Sequence, residues 1–163
     1  MTTTVHPKTE IVADDTVPLI RITREFDAPP AKVFEAHTDP DLLGRWIGPH
    51  DLSTVVDRWD CRTGGSWAFH QTRGDDTFAF YGSFHEVRPC ELIVQTFTFT
   101  GYPDVVSLER LVLEDLGEGR SRLVATSIVD SFEARNAILA SGMDVGVTEA
   151  YEALDDLLAS TAS

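Results

Sequence analysis

The sequence predicts an α+β domain in which a curved, seven-stranded antiparallel sheet wraps one long C-terminal helix, with two short helices after strand 1. Three observations carry this. Seven segments between Leu19 and Val129 read as strands divided by Gly, Pro and Asp turn signals. Two segments after the first strand open with proline, which a first helical turn tolerates. Residues 131–160, SFEARNAILASGMDVGVTEAYEALDDLLAS, gather Leu139, Met143, Val147, Ala150, Leu154, Leu157 and Leu158 on one helix face. Asp144, Glu149, Glu152, Asp155 and Asp156 fall on the other. Such a stripe has to be covered, and strand-like residues precede it, so the cover is a sheet.

In chain order, residues 1–17 are polar, lack sustained periodicity and lead into Pro18. They read as a flexible N-terminal arm, dispensable for folding and adding at most a short edge strand; the single domain spans 18–160. Leu19–Phe26 alternates as a strand. Ala28-Pro29-Pro30 then opens a helix that carries Val33, Phe34 and His37 on one face. Asp39-Pro40 caps a second short helix with Leu42, Leu43 and Trp46 directed inward, and Gly48-Pro49 ends it. The remaining strands are Ser53–Cys61, Ser66–Thr72, Thr77–Val87, Leu92–Thr100, Val105–Leu116 and Arg120–Val129. Turns as short as Gly64-Gly65, Gly74-Asp75-Asp76 and Gly117-Glu118-Gly119 join antiparallel neighbours. Asp130 with Glu133 makes a capping box for the long helix, and Ser131 competes as its N-cap. Gly142 and Gly146, one turn apart beside the stripe, either allow close backbone packing or keep space open between helix and sheet.

The chain has 163 residues, 42% of them hydrophobic, enough for one domain with a sizeable core. A formal net charge of −14 argues against nucleic-acid backbones and anionic membrane surfaces as partners. Cys61 and Cys90 make neither a metal spacing nor a disulfide framework and fit a reducing, cytoplasmic setting. No signal peptide, membrane-spanning run or lipidation site is read. Gly64-Gly65 is a hairpin turn without the following helix that a phosphate cradle requires. No cofactor and no metal are expected.

Several stretches together carry a resemblance. APPAKVFEAHTDPDLLGRWIGP resembles the opening of the family named after the activator of the heat-shock-protein-90 ATPase, within the START-like, Bet v 1-like (SRPBCC) superfamily of helix-grip folds. Trp59–Trp67 (WDCRTGGSW) is similar to its second hairpin, GSFHEVRPCELIVQTF to its central strands, and SGMDVGVTEAYEALDDLL to its final helix in many bacterial members. The match runs from about Ile20 to Leu158. It implies a deep cavity between sheet and C-terminal helix for an apolar or amphipathic small molecule. It brings no catalytic constellation. Chaperone activation belongs to longer relatives with an additional domain that is not matched here.

The candidates for lining such a cavity are Phe34, His37, Trp46, Trp67, Phe69, Phe80, Phe97, Glu109, Met143 and Val147. Trp67, Phe69, Phe78, Phe80, Phe84, Phe97 and Phe99 share the apolar parity of their strands, and they either wall a pocket or interdigitate into a solid core. Trp46 is expected near an entrance, with Trp59 as a bystander. His37 is the polar candidate on the first helix, although a histidine there is commonly a satisfied packing residue. Between Val105 and Leu113 the inward face carries either Glu109 or Arg110. A buried charge needs a partner such as Arg24 or a polar ligand group, and the plainer expectation is the rim of the sheet, in water. His50-Asp51 is a weak metal signal, and His70 and His85 read as solvent-facing. Three functions follow: a binding module for a hydrophobic ligand, with room for a homodimer; a cyclase, dehydratase or hydrolase using His37 or Glu109; or a chaperone-linked interaction module. The first is the reading adopted, and the protein is more readily a binder than an enzyme.

Overall fold

The computed structural model describes residues 2–6 and 8–161, the first five as backbone alone. Strands β1 (Thr2–His6), β2 (Thr9–Ala13) and β3 (Leu19–Phe26) precede helices α1 (Pro30–Thr38) and α2 (Pro40–Trp46). Strands β4 (Ser53–Trp59), β5 (Ser66–Arg73), β6 (Asp76–Arg88), β7 (Leu92–Phe99), β8 (Ser107–Gly117) and β9 (Arg120–Ile128) follow. Helices α3 (Phe132–Ala140) and α4 (Met143–Ser160) close the chain. The strands make one nine-stranded sheet in the order β1-β2-β3-β9-β8-β7-β6-β5-β4. All its pairings are antiparallel. No helix among the described residues is long and apolar enough to cross a membrane.

Local chemistry sets the ends of these elements. The Asp39 carboxylate accepts from the Asp41 and Leu42 N–H groups, so one residue stops α1 and caps α2, and Pro40 follows where no N–H is needed. The β8–β9 turn has positive φ at Gly117, Glu118 and Gly119, a backbone that two glycines adopt without strain. Ser131 wins the competition to cap α3, its hydroxyl accepting from Ala134 N–H at 3.0 Å.

Residues opposite one another in the register point to the same face, which fixes the inner side of the sheet. Facing the helices are Arg24 and Phe26, Leu123 and Ala125, Glu109 and Leu111, Ile93 and Gln95, and Trp67 and Phe69. Leu123 and Leu154 have no accessible surface and Phe26 has 1%. With Val33, Leu43, Trp46, Ala150, Tyr151 and Leu158 they form the main core under α1, α2 and α4. A second cluster holds Trp67, Phe69, Phe84 and Ile93. The two meet through Phe34, Ile47, Trp59 and Leu111, which pack against both.

Two features depart from the sequence reading. The sheet has nine strands, not seven, because the stretch taken as a flexible arm over residues 1–17 supplies β1 and β2. Met1 and Pro7 of that stretch lie outside the described residues. Strand β2 pairs with β3 from Thr9 opposite Arg24 to Ala13 opposite Ile20, and Thr9, Ile11 and Ala13 are buried. Few apolar residues suffice here because Ile11 and Ala13 both fall on the covered face. The single helix over 131–160 is also interrupted. Gly142 has φ +86° and serves as the N-cap of α4, so Ser141-Gly142 divides α3 from α4. Leu139 and Met143 therefore belong to different helices.

Arg24 shows how closely the interior is matched. It is 2% exposed and bonds Asp155 of α4 with both terminal nitrogens, at 3.1 and 2.7 Å. Its Nε donates to Thr9 Oγ1 at 3.2 Å, and its guanidinium lies 4.8 Å from the Phe26 ring centre. One arginine thus ties the arm and the last helix to the same strand.

Deleting Met1–Thr16 removes the buried Ile11 and Thr9 and uncovers Ile20 and Arg24. The expected loss is on the order of 3 kcal/mol, about 10 °C in Tm, and a calorimetric shift of only a degree or two would place the segment outside the cooperative unit. At Gly146 an added Cβ meets only Pro49 Cδ, at 3.8 Å, an ordinary contact. Gly146→Ala should therefore gain up to ~1 kcal/mol of helix propensity in chemical denaturation, whereas a loss would reveal crowding against the loop after α2.

Candidate functional site

The two halves of α4 differ. From Ala150 onward, Ala150, Tyr151, Leu154 and Leu158 are buried, and Ala153 and Leu157 pack half-buried against the main core. Met143 and Val147, at its start, keep accessible surface, and Met143 belongs to neither core cluster. On the inner face of the sheet Phe80, Gln95, Phe97, Glu109, Leu111, Ala125 and Ser127 are only half-buried, although they sit in interior strands. A side chain on the covered face of an interior strand retains accessible surface only where water-sized space reaches it. Such accessible space reaches the inner face of β6–β9.

Its wall is aromatic. The ring centres of Phe80 and Phe97 are 5.3 Å apart, Phe80 is 5.2 Å from Phe69, and Phe97 is 5.4 Å from Trp67. Trp67 is 1% exposed, and its indole N–H is buried without a hydrogen-bond partner among the described residues. Gly82, opposite Trp67 in the register, makes room for that ring: a Cβ there would meet Trp67 Nε1 and the Thr96 carbonyl. This is the glycine whose lack of a side chain the aromatic wall requires.

Glu109 is the charged group of this interior. Its strand neighbours on the inner face are Gln95 and Ser127, each directly opposite. Gln95 Nε2 donates to Glu109 Oε1 at 3.2 Å, and the Ser127 hydroxyl also bonds the carboxyl. Burial pushes the carboxyl up from its ordinary 4.5 to about 7, and the two hydrogen bonds only partly offset it. The expectation of a rim position in water is thus corrected: Glu109 faces inward and Arg110 outward, because the register puts Glu109 on the same face as Leu111 and Leu113. Tyr151 lies near it from α4. Burial first, and the Glu109 charge second, hold the phenol above its ordinary range.

The ten sequence candidates separate in the structure. Phe80, Phe97 and Glu109 are half-buried on the inner face of the sheet, Met143 and Val147 are half-buried at the start of α4, and Phe34 is half-buried between the two core clusters. Trp46 is not at an entrance. It is 5% exposed, stacks on Tyr151 at 6.1 Å and donates Nε1–H to the Ala36 carbonyl at 2.9 Å. Trp67 and Phe69 are likewise buried, forming the back of the wall. His37 packs 4.7 Å from Trp46 and its Nδ1 lies 2.7 Å from the Val33 carbonyl oxygen. A carbonyl only accepts, so Nδ1 carries the proton, and burial holds the ring down at about 4. His37 is a neutral packing residue at pH 7.

Sequence parity missed Trp59, which faces inward and donates to the Thr38 carbonyl at 2.7 Å. A β-bulge between Val56 and Arg58 shifts the alternation by one residue. Tyr151, Gln95 and Ser127 were also missed; the pairing of strands brings Gln95 and Ser127 to Glu109, and the packing of α4 brings Tyr151 near it. Among the described residues, no group of three or more His, Cys, Asp and Glu could hold a metal. His50 bonds the Glu149 carbonyl and Asp51 pairs with Arg73. Two open surface clefts also exist. One, of about 440 Å³, is lined by Lys8, Arg24, Arg120 and Asp155, and another, of about 530 Å³, lies between α2 and β4. Neither includes a sequence candidate.

Solved structures share this architecture. A crystal structure from Mycobacterium smegmatis superposes with TM-score 0.83 at 24% identity, covering 96% of this chain and 97% of that one. One from Rhodobacter sphaeroides gives 0.84 at 24%, covering 93% and 98%. A solution structure from Arthrobacter aurescens gives 0.84 at 26%, covering 94% and 92%. The fold is the Bet v 1-like helix grip. No curated protein matches the chain. Residues 27–159 match the family described as activator of Hsp90 ATPase homolog 1-like protein, and the chain belongs to that family.

Proposed function

We propose that this protein binds a small hydrophobic or amphipathic molecule between the sheet and the start of α4. One observation carries the proposal: inward side chains in the middle of the sheet keep accessible surface, and Met143 at the start of α4 is half-buried and belongs to neither core cluster. A solid core would bury them, as it buries their counterparts under the second half of α4. The lining suits an apolar guest, and Glu109 with Gln95 and Ser127 supplies the few polar groups that orient one. Met143 adds a flexible wall able to fit guests of different shape. A cytoplasmic setting and room for a homodimer belong to the same proposal, with Cys61 and Cys90 both free.

A second reading is favoured by Glu109 alone. A carboxyl held near neutrality inside an enclosed site is equipped to take and return a proton, so a cyclase, dehydratase or hydrolase activity in the same space is the enzymatic alternative.

Titration with environment-sensitive apolar dyes and with fatty or aromatic acids tests the binding proposal. Wild type should bind saturably with a change in tryptophan emission, and Met143→Trp should lose binding with little loss of stability. A strongly destabilised Met143→Trp, together with no saturable binding by wild type, would mean a closed core. The carboxyl is tested through stability. Between about pH 4.5 and 7 the folded state holds more protons at Glu109 than the unfolded chain, so this group lowers stability as pH rises through that window. Glu109→Gln removes the effect. Relative to its value at pH 4, the stability of the variant over wild type should grow by on the order of 2 kcal/mol by pH 8. The His37 contribution is common to both proteins and cancels. A difference that stays flat with pH would show a solvated carboxylate.

A further inference from the structure

The charge inside the cavity lacks a counterpart. Glu109 has two carboxyl oxygens able to accept about four hydrogen bonds, and Gln95 and Ser127 supply two donors. No Lys, Arg or His nitrogen among the described residues forms a salt bridge with it. The buried guanidinium of the core, Arg24, is held by both oxygens of Asp155. An ionised carboxylate in so confined a place is costly until a cation joins it.

The groups around Glu109 reinforce that demand. Tyr151 of α4 is neutral, as is His37 of α1. Arg24 of β3 is neutralised by Asp155. The whole chain carries a formal charge of −14, which raises the local concentration of cations. Beside Glu109 stand Phe97, two residues along from its register partner Gln95, and Phe80, packed on Phe97. Aromatic faces attract an ammonium group as well as an apolar body.

Building on the binding proposal, we infer that the cavity selects ligands carrying a basic nitrogen on an apolar, preferably aromatic body, with the ammonium donating to Glu109 and the body lying along Phe80 and Phe97. A ligand carboxylate is disfavoured, since it meets a like charge or forces Glu109 to stay protonated. A neutral polar group gains a hydrogen bond but leaves the charge uncompensated. Because the empty carboxyl titrates at about 7, binding of a cation below that pH has to expel its proton.

The test is calorimetric titration of three probes with one skeleton: 2-naphthylmethylamine, 2-naphthylmethanol and 2-naphthoic acid. At pH 8 the amine should bind about ten-fold or more tightly than the alcohol, with the acid weakest. Its affinity should fall about ten-fold per pH unit below about 7 while that of the alcohol stays level. In Glu109→Gln the amine should drop to the level of the alcohol, and retained alcohol binding shows that the variant is folded. The pH series on wild type stands independently if the variant fails to fold. Equal binding of amine and alcohol, or preference for the acid, overturns the inference and leaves the cavity intact. Absence of saturable binding by all three overturns the cavity proposal and the inference with it.

Discussion

The structure depends on how α4 is held to the inner face of the sheet. Ala150, Tyr151, Leu154 and Leu158 are buried against Phe26, Leu113 and Leu123, and Arg24 with Asp155 adds a two-point tie beside them. Burial of these four side chains is worth on the order of 5 kcal/mol before the entropy of ordering them is counted. The grip is confined to the second half of the helix. A glycine with positive φ starts the helix afresh, so the first half need not follow the line of α3. The second half anchors the helix, so its start can remain half-buried without loss of the fold.

Polar groups inside the protein are treated in two ways. Every guanidinium nitrogen of Arg24 is bonded, to Asp155, Thr9 or the Glu25 carbonyl, and it serves the fold. Glu109 is satisfied by two neutral donors and sits next to accessible space. Buried charges that hold a structure together are paired, whereas a buried charge without its counter-ion points to something outside the chain. The same contrast separates the two histidines tied to helices. His37 is neutral, bonded to its own helix and packed on Trp46, while His50 is exposed beside Glu149.

The aromatic residues show how one composition serves two purposes. Trp46, Tyr151 and Phe26 stack into the main core, with ring centres 6.1 and 5.6 Å apart. Phe69, Phe80, Phe97 and Trp67 form a chain of tilted or stacked rings at the other end of the sheet, and only the outer members of that chain keep accessible surface. Family membership agrees with this arrangement at the level of fold.

The sequence by itself determined the order of elements from Leu19 onward, because strand alternation, proline starts and glycine turns are local properties. It also determined which strand faces are apolar, and so that one side of the sheet must be covered by the C-terminal helix. It did not show that Thr9–Ala13 belongs to the sheet, since five residues with three apolar side chains carry little signal until β3 offers them a partner. The bulge that turns Trp59 inward depends on register with β5, and the break at Gly142 on a backbone angle that glycine permits but does not require. Whether Glu109 or Arg110 faces inward was undecidable from alternation, which offers two equivalent faces when each carries one charge. Pairing with Gln95 and Ser127 decided it, because a strand's facing is set by the neighbours it bonds, and those lie 14 and 18 residues away in the chain.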